Sequence, residues 1–280
     1  MQVLKTPPQR LFHLAELRLR RQDIGETATW QLGVAGPRIL YIHGFRGNHK
    51  GLLGIAGALP ETRAIIPDLP GYSKTPPLGV EHDLEGYARW LIDFNGELGQ
   101  VDLVVAHSFG TLVAAKALSL GWQPSKLTLI NPISSVATGL GARLADHYYK
   151  LGAAQGSNLL SSQLVVRGMS VALAKTKRPG LRRFIHRQHS DNFSQFNQKR
   201  VVVEGYRAAS GSSVLDMAQW IPSDTLLIAG DRDAVAPLES QRKLSAATGA
   251  RLTILEGVGH LTHYERPSEL AELLAEELRR

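Results

Sequence analysis

Val101-Asp102-Leu103-Val104-Val105-Ala106-His107-Ser108-Phe109-Gly110-Thr111 opens as an apolar, valine-rich run and closes in small residues around a single serine. The run has the composition of a strand buried on both faces. The segment from Ala106 to Gly110 resembles the G-x-S-x-G elbow, a strained strand-to-helix turn in which the backbones pass too close for side chains and the serine stands at the apex. Ala106 occupies the position of the first glycine, and alanine is small enough to preserve the turn. Small residues around a serine also occur in ordinary strand-to-helix connections, so the rest of the chain decides between the two readings.

Outward from this stretch, strands and helices alternate. Arg38 to Ile42, Ala64 to Ile66, Asp102 to Ala106, Leu127 to Ile130, Thr225 to Ala229 and Leu252 to Leu255 are short and apolar, as buried strands are. Leu84 to Leu98, Thr111 to Leu120, Leu238 to Thr248 and Pro267 to Leu278 carry apolar residues at helical spacing, with Pro267 suited to a first turn. Leu14 to Arg21 and Thr27 to Leu32 read as an antiparallel hairpin turning at Asp23-Ile24-Gly25, placed at the sheet edge. Such alternation predicts an α/β protein with a mostly parallel, doubly wound sheet, whose ligands bind at the carboxyl ends of the strands.

A chain of 280 residues, 43% hydrophobic and 20% charged, can bury about 75% of the surface its unfolded form exposes. It reads as one large domain, or one domain carrying an insertion, with no internal repeat. There is no cysteine, which excludes disulfides, thiolate metal sites and a cysteine nucleophile. The first ten residues lack an apolar run after their basic ones, and nowhere are there the ~20 apolar residues of a membrane helix. The expectation is a cytoplasmic protein without a transmembrane segment.

Between Asn131-Pro132 and Thr225 the alternation stops: helical patterns occur without a central strand. This predicts a helical cap over residues 133–215, inserted into a core of residues 1–132 and 216–280. From Arg143 to Arg207 there are 12 Lys or Arg against Asp146, Asp191 and Glu204, so the cap holds the whole basic surplus of a chain with net charge +7. The surplus reads either as a solvated helical surface or as attraction for anionic substrates, lipid headgroups or a partner. Nucleic acid is disfavoured, because aromatic residues are not interleaved with the basic ones and no recognition-helix or zinc-finger signature occurs. His186 and His189 stand three apart without a carboxylate at helical spacing, so no metal is expected. Gly139-Leu140-Gly141 lacks the third glycine of a dinucleotide fingerprint, so no nucleotide cofactor is expected either.

A serine hydroxyl needs a general base oriented by a carboxylate. Two strand-end loops supply candidates: Gly230-Asp231-Arg232-Asp233-Ala234-Val235-Ala236-Pro237 and Gly257-Val258-Gly259-His260, with His263 three residues further on. Serine first, acid second and histidine last differs from the orders of chymotrypsin-like and subtilisin-like enzymes.

With these loops, His43-Gly44-Phe45-Arg46-Gly47, Asp68-Leu69-Pro70-Gly71-Tyr72-Ser73 and Glu265-Arg266-Pro267, nearly the whole chain resembles the α/β-hydrolase superfamily, in its capped branch of esterases, C–C bond hydrolases and haloperoxidase-like enzymes. The resemblance implies an eight-stranded, mostly parallel sheet with helices on both faces and an inserted cap. It implies Ser108 as nucleophile, Asp233 rather than Asp231 as the acid because of Pro237, and His260 rather than His263 as the base. The backbone N–H groups of Phe45 and Phe109 resemble the family's oxyanion donors. His43 and Asp68 are then expected to brace and shape loops. Dehalogenases and epoxide hydrolases of this fold are disfavoured, since they carry aspartate where this chain has Ser108.

The expected activity is cofactor-independent cleavage of a small or medium carboxylic ester through an acyl-enzyme. A C–C bond hydrolase of ring-cleavage substrates, and a receptor or interaction protein with vestigial turnover, are the alternatives. The expected partner is a small molecule, with anionic ones favoured by a basic cap, and a homo-oligomer is compatible with the sequence.

Overall fold

The computed structural model describes residues 1–136, 138–155 and 157–280; Ala137 and Gly156, both in the stretch expected to form the cap, lie outside the described residues. Eight strands form one sheet in the order β1-β2-β4-β3-β5-β6-β7-β8. They are β1 (Arg20–Arg21), β2 (Thr29–Leu32), β3 (Arg38–Ile42), β4 (Arg63–Pro67), β5 (Leu103–His107), β6 (Leu127–Ile130), β7 (Leu226–Gly230) and β8 (Arg251–Leu255). β1 and β2 pair antiparallel, as do β2 and β4, and every later pairing is parallel.

Side chains alternate across a strand, so the central strands feed two cores. Leu40, Ile42, Val104 and Ala106 face one side, where they join α3 (Leu84–Leu98), α4 (Phe109–Ser119) and α10 (Leu238–Thr248). Ile39, Tyr41, Leu103 and Val105 face the other, against α1 (Pro8–Glu16), α2 (Leu53–Ala58) and α12 (Pro267–Arg279). The eight-stranded sheet with helices on both faces is therefore the one expected, and the predicted strand positions are met to within a residue or two.

The N-terminal strand is a correction. Residues 14–16 belong to α1, and only Arg20–Arg21 of the predicted Leu14 to Arg21 segment form a strand. From Glu16 to Arg20 polar and apolar residues alternate, which imitates a strand. Helix wins because Pro8 suits a first turn and Leu11, Phe12 and Ala15 form one buried face against α2. The crossing is tight: a Cβ on Gly57 would lie 2.8 Å from both the Ala15 side chain and the Leu11 carbonyl.

Between β6 and β7 lie α5 (Gly139–Gln155), α6 (Ser157–Leu160), α7 (Gln163–Leu173), α8 (Pro179–Asn192) and α9 (Lys199–Ser210), with no strand among the described residues. The 3-10 helix over Val214–Trp220 packs on α4 and α10 and so joins the helical layer on the sheet. A short α11 (Thr262–Glu265) precedes α12. Among the described residues no helix is long and apolar enough to cross a membrane.

Candidate active site

Ser108 stands between β5 and α4 with φ 52° and ψ −119°, a conformation a side chain rarely adopts and one that its surroundings must hold in place. Its N–H donates to the Ile130 carbonyl at 3.0 Å, and its own carbonyl accepts from the Thr111 N–H at 2.8 Å and the Thr111 hydroxyl at 2.5 Å. The elbow also needs room. A Cβ on Gly110 would stand 2.7 Å from the Ile42 carbonyl oxygen, and one on Gly44 would stand 3.1 Å from the Ser108 Cβ.

The loop after β8 brings His260 Nε2 to 2.7 Å from Ser108 Oγ, while His260 Nδ1–H donates to Asp233 Oδ2 at 2.8 Å. Asp233, in the loop after β7, accepts further hydrogen bonds at Oδ1 from the N–H groups of Val235 and Ala236, at 2.8 and 2.9 Å. Burial opposes its ionisation, yet His260 and these two N–H groups outweigh burial and hold the carboxyl below its ordinary value. Ser108, Asp233 and His260 are respectively 7%, 6% and 5% exposed, so the chain of hydrogen bonds is shielded from bulk water. Asp231 instead accepts from the Val258 N–H at 3.2 Å, and His263 meets His107 edge to face with ring centroids 4.2 Å apart.

Two residues that sequence reasoning passed over complete this network. Asn131, at the end of β6 with φ 48°, donates from Nδ2 to Asp233 Oδ2 at 2.7 Å. Its amide is turned that way because its oxygen accepts from the Thr262 hydroxyl at 2.5 Å. His107 Nε2–H donates to the His260 carbonyl at 3.1 Å, which pins the loop that carries His260. Burial, aided by the neighbouring His260, pushes the His107 ring down to about 3, so it is a neutral brace. The only sequence signals were an asparagine at a strand end and a histidine inside the elbow; their partners lie more than a hundred residues away.

His43 and Asp68 have the bracing roles expected of them. His43 Nδ1–H donates to the Gly44 carbonyl at 2.8 Å and Nε2 accepts from the Leu69 N–H at 2.9 Å, with burial holding the ring neutral, its pKa pushed down to about 4. Asp68 accepts from the His49 N–H and ring at 2.8 Å each and from the Trp30 indole at 3.1 Å, tying β4 to its neighbours. Phe45 and Phe109 meet edge to face, with ring centroids 6.1 Å apart. Among the described residues, neither of their backbone N–H groups donates to a protein acceptor.

Ser108 and His260 open into a cavity of about 290 Å³. Ile133, Leu173, Phe193 and Val235 give it apolar walls, and among the described residues no Asp or Glu lines it. His189 also lines it, sharing a 3.0 Å hydrogen bond with Ser170, and burial pushes its pKa down to about 4. Among the described residues no group of three or more His, Cys, Asp or Glu could hold a metal ion. A hydroxyl bonded to an imidazole, an imidazole bonded to a carboxylate and two free N–H groups beside an apolar cavity form an arrangement suited to acyl transfer.

Residues 39–273 match the model of the alpha/beta hydrolase family, and the chain belongs to that family. Comparison with curated proteins gives no match. Similar solved structures include an esterase from Exiguobacterium antarcticum, 19% identical over 91% of this chain and 96% of that one, with a TM-score of 0.75. An enol-lactonase from Burkholderia xenovorans is 14% identical over 93% of this chain and 100% of its own, with a TM-score of 0.76. A bromoperoxidase from Bacillus anthracis is 16% identical over 94% and 100%, with a TM-score of 0.74. At these identities the likeness is one of fold.

Proposed function

We propose that the protein is a serine hydrolase that cleaves a small or medium carboxylic ester through an acyl-enzyme on Ser108. One observation carries the reading: Ser108 Oγ, 2.7 Å from His260 Nε2, with His260 in turn 2.8 Å from Asp233, at the mouth of an apolar cavity. Ser108 Oγ attacks the acyl carbon as its proton passes to His260 Nε2. The carbonyl oxygen becomes an oxyanion held by the Phe45 and Phe109 N–H groups. Collapse expels the alcohol, which leaves with the proton from His260. Water then gives its proton to His260 and attacks the acyl-enzyme, releasing the carboxylic acid and restoring the serine. Asp233 keeps the proton of neutral His260 on Nδ1 and stabilises the imidazolium without taking the proton itself.

Helices α5 to α9 are the cap of this enzyme, within residues 133–215. Cavity-lining residues from α5, α7, α8 and α9, among them Tyr149, Met169, Asn192 and Tyr206, support that role. The substrate is a small molecule, as a volume of about 290 Å³ suits. A panel of p-nitrophenyl esters of increasing chain length tests the reading. Turnover of the short and medium members by the wild type, and none above background in Ser108→Ala, is the expected result. Equal rates in the two proteins would remove Ser108 from the mechanism, and cleavage of dienoic keto acids without any ester turnover would favour C–C bond hydrolysis.

A further inference from the structure

Arg46 follows the proposed oxyanion donor Phe45, lines the cavity and is only 4% exposed. Its φ of 57° belongs to a region that side chains avoid, so the surrounding contacts must hold it there. From that position the guanidinium reaches across to the cap. Nε donates to the Phe193 carbonyl at 3.2 Å, and Nη2 donates to the same carbonyl at 2.7 Å and to that of Leu160 at 2.5 Å. The guanidinium carbon sits 3.3 Å from the centroid of the Phe193 ring.

Arginine has five N–H donors, and these bonds use the ones on Nε and Nη2. Nη1 is buried and has no partner among the described residues. Among the described residues, the ion pairs do not include Arg46 and no Asp or Glu lines the cavity. A buried cation without a counter-charge is costly, and an unpaired guanidinium edge is shaped for an oxyanion. Tyr149 adds a second polar group. It lines the same cavity as Arg46, its ring lies 5.9 Å from that of Phe45, and burial raises the pKa of its hydroxyl while the Arg46 guanidinium works against that.

We propose that Arg46, with Tyr149 beside it, is a subsite for a carboxylate carried by the substrate, so that the preferred substrates are esters whose acyl part ends in a free carboxylate, such as half-esters of dicarboxylic acids. The inference rests on the hydrolase reading for its turnover arm alone. The carboxylate is the missing counter-ion of Arg46, and it would anchor the acyl chain against the cap while the ester carbonyl lies at Ser108.

Two measurements test this. The first compares kcat/KM of the wild type for monomethyl glutarate and for dimethyl glutarate; we expect the half-ester to be favoured by about tenfold or more, as a desolvated charge-assisted pair gives. Arg46→Gln abolishes that preference and Arg46→Lys restores part of it. A wild-type preference for the diester overturns the proposal even if the variants fail to fold. The second needs no turnover: calorimetric titration of the Ser108→Ala protein with glutarate and with uncharged glutaramide. Tighter binding of glutarate, lost in the double variant with Arg46→Gln, supports the subsite, and equal binding of the two ligands overturns it. Absence of ester turnover together with tight glutarate binding would sink the hydrolase reading and leave the subsite standing.

Discussion

Ser108 Oγ sits 2.7 Å from His260 Nε2 at a φ of 52°, so the hydroxyl owes its position to backbone geometry as much as to its own chemistry. On the proposed mechanism, replacing it with alanine removes the nucleophile and leaves the backbone donors. The expected loss in kcat is roughly 10⁴- to 10⁶-fold, read from steady-state ester hydrolysis. Asn131→Ala removes a 2.7 Å donor from the carboxylate that orients His260. We expect kcat to fall about tenfold with KM nearly unchanged, because the group touches Asp233 and not the substrate; an equal rise in KM would mean that Asn131 shapes the pocket instead. These two residues differ in how they could be read from sequence. Ser108 announces itself through its small neighbours, whereas Asn131 and Thr262 act through partners that only the fold brings near.

At the scale of elements, α4 starts where β3 ends, and Gly110 is the point of contact. A Cβ there would press on the Ile42 and His43 carbonyls at 2.7 and 2.9 Å. Gly110→Ala is therefore expected to lower stability by about 1–3 kcal/mol and to disturb Ser108, seen as a lower urea midpoint together with lower activity. Glu265 of α11 joins the loop that carries His260 to the segment between α7 and α8. Its Oε1 accepts from the Gly259 N–H at 3.3 Å and from the Lys175 N–H at 3.1 Å, and burial raises its pKa. Glu265→Ala leaves both donors without their carboxylate, and hydrogen exchange should quicken at residues 257–261 and 173–176 together. Exchange that quickens at only one of the two would break the proposed link. The strands were legible because they are buried on both faces and read as apolar runs. α1 was not: the Glu16 to Arg20 alternation outweighed a buried face whose partner, α2, lies forty residues on.

Across the whole molecule, buried histidines dominate the response to acid. His43, His107 and His189 have an ordinary value of 6.5 and folded values of about 4, 3 and 4. Between those limits the unfolded chain binds protons that the native state refuses, so stability is fully present above pH 6.5 and falls as the pH drops towards 4. Each group contributes up to ~1.4 kcal/mol per pH unit in that window. Asp68 and Asp233, both held below their ordinary 3.8, act in the same direction but at lower pH. Their stabilisation persists above the unfolded value and is lost only as the pH falls through their lowered folded values. Urea midpoints should thus be level above pH 7 and decline steeply below 6.5, and a flat profile from 7 to 4 would contradict the assignment of neutral buried rings.

The order of serine, acid and histidine along the chain was visible because each stands in a loop at the carboxyl end of a strand. The role of Arg46 was not, since its meaning depends on the Phe193 and Leu160 carbonyls, 147 and 114 residues away in the chain. The most direct test of the central claim is intact and peptide mass spectrometry after treatment with a fluorophosphonate. The account predicts one covalent adduct, on Ser108, that forms in the wild type and is suppressed in His260→Ala. A protein that stays unlabelled, or is labelled at another serine, would contradict it.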